Sequence, residues 1–242
     1  MENKDYMSYS QFSDFLCCEV QALAKIKGEY VEPKSKAYLV GGYVDAYFSG
    51  ELDKFIQEHK DDIFGRGDKK YADFVKCDEI IKTIESDEEF SKWYKNGEKQ
   101  VTLTGVINGV DFKGRLDFLT DEYIADGKLM KDINDVWVDG VKVPFWKAYH
   151  YDIQASIYQY LEMQRTGIKK PYYLLVTTKE EIPSKYVFKF SDETLEQALE
   201  EVKNRAPRYD AIKKGLIEPI ECGKCNYYKL KHKFSNDEIK EI

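Results

Sequence analysis

Residues 112–130 read FKGRLDFLTDEYIADGKLM, and the fold is decided by how this stretch is taken. Apolar residues alternate with polar ones through Phe112, Gly114, Leu116 and Phe118, the period-two pattern of a strand with one buried face. Thr120-Asp121-Glu122 supplies a turn, and YIADGKLM over 123–130 is a second strand. Pairing 110–119 with 123–130 as a hairpin sets Asp117 and Asp126 on neighbouring strands near the turn. Asp126 and Lys128 are two apart, so both side chains leave the same face of their strand. Two carboxylates and one ammonium therefore gather in an apolar setting made by Leu116, Phe118, Ile124, Ala125, Leu129 and Met130. Clustered carboxylates repel one another and are relieved by a divalent cation, and an oxygen-rich site suits Mg²⁺ or Mn²⁺. The alternative is an ordinary surface hairpin carrying a Lys–Asp pair.

Working outward, VTLTGVINGV at 101–110 is a further strand ending on an Asn108-Gly109 turn. Upstream, SQFSDFLCCEVQALAKIKG at 10–28 has helical periodicity, with Ser8 or Ser10 as its cap. Ser35 opens a second helix through KAYLVGGYVDAYFSG. Residues 51–89 hold 13 acids and 7 bases and are expected to be polar helices and loops of an outer layer. Downstream, helical periodicity runs through WKAYHYDIQASIYQYLEMQRTG at 146–167. His150, Gln154 and Tyr158 are spaced by four along it, a polar stripe. The aromatic residues there are also the kind that pack on a sheet. Two strands, PYYLLVTTKE and SKYVFKFS, and a charged helix from about 191 to 214 complete the order. This is an α/β chain with a central mixed sheet flanked by helices. It is expected to be one domain over 1–242, with a helical N-terminal part at about 8–95 and a core from about 100.

The order Asp117, then Asp126-Gly127-Lys128, then Gln154-Ala155-Ser156-Ile157-Tyr158 resembles the signature of the PD-(D/E)XK nuclease superfamily. It is most similar to the RecB-type branch, with its G-x-x-D, D-x-K and Q-x-x-x-Y motifs. Within that branch it resembles the phage RecE-like exonucleases. The similarity spans about residues 8 to 230. It implies a restriction-endonuclease-like core and Mg²⁺-dependent hydrolysis of phosphodiester bonds. It further implies that Asp117, Asp126 and the Gly127 carbonyl hold the metal and that Lys128 serves the attacking water. Gln154 and Tyr158 would steady the DNA or the lysine. Such enzymes resect one strand from a duplex end and hand the other to an annealing partner, and some assemble as rings. The branch usually carries a histidine in a G-x-x-x-H segment. Here the segment is Gly41-Gly42-Tyr43-Val44-Asp45, so Asp45 stands as the candidate further ligand. Two rival readings follow: a module that keeps the fold and binds without cutting, and a structure-specific endonuclease.

The five cysteines raise a second metal question. Cys222-Gly-Lys-Cys225 is a knuckle that offers two ligands, Cys18 a third and His232 a fourth. The iron–sulfur sites of some RecB-type nucleases use four cysteines, and Tyr228 follows where another would help. The favoured expectation is a vestigial site whose segments still pack, over an iron–sulfur cluster or zinc.

The 37 bases and 44 acids give −7, which argues against indiscriminate coating of nucleic acid. Residues 203–233 nevertheless carry nine bases against three acids, and Arg165, Lys169 and Lys170 form another basic cluster. Both are candidate DNA-backbone contacts. No G-x-x-x-x-G-K-[ST] loop occurs, which argues against an ATP-driven motor. No run of 18 apolar residues spans a membrane, and no export signal is recognised at the start, so a cytoplasmic setting is expected.

Overall fold

The computed structural model describes residues 5–33, 35–239 and 241. In chain order the elements are β1 (Met7–Ser8), α1 (Tyr9–Cys17), α2 (Glu19–Lys27), α3 (Lys36–Ser49), α4 (Leu52–Glu58), α5 (Lys60–Ile63), α6 (Ala72–Glu85) and α7 (Glu88–Lys95). Then follow β2 (Glu98–Ile107), β3 (Val110–Leu119), β4 (Ile124–Met130), β5 (Val136–Val138), β6 (Val141–Val143), α8 (Phe145–Ala148) and α9 (Tyr151–Thr166). The chain ends with β7 (Tyr172–Thr178), β8 (Lys185–Lys189), α10 (Asp192–Lys213) and α11 (Asn226–Lys231). It clusters into two compact units. One comprises residues up to Pro33, 106–112 and from Val202 onward, and the other comprises 34–105 and 113–201.

The larger unit holds most of the sheet. Its strands run in the order β3-β4-β7-β8, with β2 also on β3. β3 and β4 are antiparallel through Phe118↔Ala125 and Leu119↔Ile124. β4 and β7 are parallel from Ile124↔Tyr172 to Met130↔Thr178, and β7 and β8 are antiparallel. The sheet is therefore mixed, as expected. The parallel β4–β7 pair requires a long crossover, and α9 lies within it.

Sequence determines the α3 boundaries plainly. Ser35 caps the helix by accepting the Tyr38 N–H at 3.2 Å, and Gly50 closes it at φ 81, where a side chain is disfavoured. Asn108 (φ 46) and Gly109 (φ 79) form the left-handed pair that a tight β2–β3 hairpin needs. The core of this unit packs Val44 and Phe48 of α3, Phe74 and Ile80 of α6, and Tyr94 of α7 against Phe118, Ala125 and Leu175 of the sheet. Helix α6 is thus a core element, not the solvated layer expected of 51–89. Its Phe74, Cys77, Ile80, Ile81 and Ile84 recur at helical spacing amid charges.

Three further expectations change. The helix expected over 10–28 breaks at Cys18, whose extended backbone (φ −166, ψ 115) ends α1 and begins α2. The helix expected over 146–167 splits into α8 and α9, with His150 in the left-handed region (φ 57) between them. A two-stranded ribbon, β5–β6, lies between β4 and α8, and turns on Asp139 (φ 47) and Gly140 (φ 82).

The smaller unit packs α1 on α10. Phe15 stacks on Tyr209 at 4.9 Å, and Phe12 meets Phe112 and Tyr209. Among the described residues, no helix is long and apolar enough to cross a membrane.

Helix α9 reaches the sheet over two glycines. A Cβ at Gly114 would sit 2.7 Å from the Tyr158 ring, and one at Gly105 would meet Leu161 and Gln164. Gly114→Val should therefore force the helix outward and cost about 1–3 kcal/mol. Urea unfolding should show a lower midpoint than wild type, with Gly41→Ala, where an added Cβ meets nothing within 4 Å, serving as the mild control.

Candidate metal-dependent active site

The site forms where β3 and β4 diverge. Beyond the Phe118↔Ala125 pair, the Gly127 N–H donates to the Asp117 carboxylate (Oδ2, 3.0 Å). Asp126 follows Ala125 on β4, so where Ala125 enters the core the alternation turns Asp126 and Lys128 to the other face. Asp126 is 1% exposed. The Gln154 side-chain amide (Nε2) donates to its Oδ1 at 3.0 Å, and Lys128 Nζ lies 2.5 Å from its Oδ2. Helix α3 contributes Asp45. The Gln100 side-chain amide donates to both Asp45 Oδ1 (3.3 Å) and Asp117 Oδ1 (3.4 Å). A pocket beside them is lined by Asp45, Gly127, Lys128, Tyr94, Phe48 and Thr177.

The residues expected from the sequence divide as follows. Asp45, Asp117, Asp126, Gly127, Lys128 and Gln154 come together. Gln154 holds Asp126, and it is on this carboxylate, not on the lysine, that its amide is spent. Tyr158 is 7% exposed with its ring over Gly114, so the packing role foreseen for the aromatic residues applies to it. His150 precedes α9 and leaves the Gln154–Tyr158 stripe; its backbone carbonyl accepts the Gln154 N–H. Two participants were not foreseen. Tyr151 presents its ring to Lys128 Nζ at 5.1 Å from the centroid, a cation–π contact. Gln100 joins two aspartates from a left-handed backbone (φ 55), and nothing in the sequence marks a glutamine in a strand for this role.

The electrostatics are strained. Burial, followed by repulsion from Asp126 and Asp45, raises the Asp117 carboxyl well above the ordinary range. Burial and then Asp126 also raise Asp45, against the pull of Arg115 and Lys128. Burial disfavours the Lys128 ammonium, but attraction to Asp126 and Asp117 more than reverses this and raises its pKa.

These residues fit a hard divalent cation. The side-chain carbonyls of Gln100 and Gln154 are buried with no hydrogen-bond donor, and Asp126 Oδ2 meets only the Lys128 ammonium. The donors are oxygens, the preference of Mg²⁺ and Mn²⁺. One oxygen from each of the three aspartates does not fall within a common 4.8 Å; Gln100 and Lys128 occupy the space around them.

The second set of candidate ligands behaves differently. Cys18, Cys222 and Cys225 converge, their sulfurs all within 4.8 Å of one another. His232 does not join them. Its ring bonds Glu238 at 2.8 Å and stacks on Tyr228. Many of the bases proposed for DNA are also committed internally. Arg165 forks onto Glu162, and Lys170, 6% exposed, bonds Glu162 and the Thr120 carbonyl. Lys169 pairs with Glu196, and Arg208 forks onto Glu19.

The family described as a PDDEXK-like domain of unknown function, DUF3799, matches residues 8–231. The chain belongs to this family. Among solved structures, a candidate exonuclease of Eubacterium rectale is 34% identical, with a TM-score of 0.91, over 97% of this chain and 91% of that one. A second, SSO0001, is 15% identical with a TM-score of 0.31 over 81% of this chain and 86% of that one, too low to weigh. A search of curated proteins returned no match. Family and neighbour together support a nuclease, and the mixed sheet flanked by helices is the PDDEXK-like architecture.

The raised carboxyls have a pH consequence. A carboxyl whose folded pKa exceeds its unfolded value of about 3.9 favours the fold below that value and loses this contribution as pH rises through the folded pKa. Without divalent metal, Asp117 and Asp45 should therefore contribute a loss of thermal stability as pH climbs above about 4. Asp45→Asn should flatten that decline, which a series of melts in chelator across pH will show. Adding Mg²⁺ should restore wild type more than the variant.

Proposed function

We propose that this chain is a divalent-metal-dependent deoxyribonuclease, an exonuclease acting on double-stranded DNA ends. The single observation that carries the reading is three desolvated aspartates and one charged lysine gathered at the β3–β4 fork, with buried oxygens lacking donors. The membership and the likeness to a candidate exonuclease support the same conclusion.

In this reading Asp117, Asp126, the Gly127 carbonyl and Asp45 hold Mg²⁺, or Mn²⁺ in its place. The bound cation supplies Lewis-acid charge at the scissile phosphate. Gln154 fixes the Asp126 carboxylate, and Gln100 fixes Asp45 and Asp117, so the ligands are held in place before the cation arrives. Tyr158 keeps α9 seated on Gly114. Lys128, 2.5 Å from Asp126, is placed to orient the attacking water and to balance charge on the phosphate. Resection in phage-type recombination is the setting we infer, with a strand-annealing protein as the recipient of the exposed strand and a homo-oligomer encircling the duplex as the source of processivity.

Linear duplex labelled at one end, beside a closed circular duplex, tests the assignment with Mg²⁺ or Mn²⁺ added to metal-stripped protein. Short products from the linear DNA alone are expected, and cutting of the closed circle would replace the exonuclease with an endonuclease. Lys128→Ala should lower the rate by about 10²–10³-fold with folding intact. Undiminished cleavage by that variant would remove the assignment.

A further inference from the structure

The smaller unit contains a feature that cleavage of DNA does not use. Cys18 sits at the break between α1 and α2, and Cys222 and Cys225 flank a turn made by Gly223 (φ 69) and Lys224. All belong to the same compact unit. The Cys225 and Cys18 sulfurs are 3.7 Å apart. A tetrahedral zinc with Zn–S bonds of about 2.3 Å places its sulfurs about 3.8 Å apart. The sulfurs are held by the backbone as well. The Lys224 and Cys225 N–H groups point at Cys222 Sγ (3.5 and 3.3 Å), and the Tyr228 N–H donates to Cys225 Sγ (3.3 Å). Such N–H donors stabilise thiolate, the form that binds metal. Burial opposes this at Cys222, yet the donors and the neighbouring thiols bring it down to about 7. Burial and the same neighbours push Cys225 up to about 11.

A chance meeting of three apolar thiols would account for the distances. It does not account for the arrangement around them. The helix expected over 10–28 breaks at the one cysteine that joins the cluster, while exposed Cys17 next to it stays out. The Cys222–Cys225 turn aims two amides at one sulfur, and Cys225 caps α11 through its own sulfur. Soft thiolates select zinc over the hard cations suited to the carboxylate site.

We propose that Cys18, Cys222 and Cys225 bind one Zn²⁺ as three thiolates, with the fourth position open to solvent. The ion is a structural clasp that ties the turn at 222–225 and α11 to the α1–α2 break. The assignment is independent of the nuclease reading, because it concerns other residues and needs no cleavage assay.

The test is metal analysis of the full-length chain, purified under reducing conditions, stripped, then exposed to Zn²⁺ alone and gel-filtered. Wild type, Cys17→Ser and Asp126→Asn should each retain about one zinc per chain with zinc-finger-like tightness, whereas Cys222→Ser and Cys225→Ser should retain none. Asp126→Asn excludes zinc lodged at the acidic site. Should the serine variants fail to fold, titration of wild type with Cd²⁺ gives a second reading, since thiolate ligation produces an ultraviolet charge-transfer band. Zinc retained by Cys225→Ser, no zinc or thiolate band in wild type, or iron with acid-labile sulfide in place of zinc would each overturn the proposal.

Discussion

Three aspartates share one buried space with one lysine, and the arrangement of the larger unit follows from that imbalance. Asp45 and Asp117 are taken out of water, which disfavours their charge, and each stands near Asp126, which disfavours it further. Lys128 offsets part of this from the same strand face as Asp126. The remainder is met by amides: Gln154 from α9, Gln100 from β2 and the Gly127 backbone. A purely structural site would gain more from apolar replacements than from a network that leaves buried oxygens without donors. The cost makes sense where a cation completes the site.

The fold supplies those amides from distant parts of the chain. The β3–β4 turn brings Asp117 and Asp126 together across a short ladder. The β4–β7 crossover returns α9 to the sheet, and small residues at 105 and 114 admit it closely enough for Gln154 to reach Asp126. Helix α3 enters through its core face of Val44 and Phe48, which carries Asp45 between them to the edge of the site. Packing and chemistry are therefore not separable here. The residues that seal the core also aim the carboxylates.

Much of this was legible because strand and helix periods are simple. Asp126 and Lys128 are two apart on a strand, and Gln154 and Tyr158 four apart on a helix, so their shared faces follow from spacing alone. His150 has the same spacing and fails, because its left-handed backbone ends the periodicity one residue before α9. Gln100 was invisible for a related reason: its side chain is aimed by a positive φ inside a strand, which no residue type announces. The break at Cys18 carries no glycine or proline to signal it. The β5–β6 ribbon did have a signal, Asp139-Gly140, but its strands are three residues long and fall below the run length that marks a strand. Charge counts also do not reveal which bases already have partners. Glu162 and Glu19 already occupy Arg165, Lys170 and Arg208.

The central claim is that the aspartate cluster is a cation site, and equilibrium binding of Mn²⁺ to the DNA-free protein tests it most directly. Electron paramagnetic resonance of free Mn²⁺ gives the number bound. The account predicts saturable binding by wild type that weakens by at least about tenfold in both Asp126→Asn and Asp117→Asn, since each removes a charged ligand. Mn²⁺ binding that is unchanged in both variants, or absent from wild type, would contradict it.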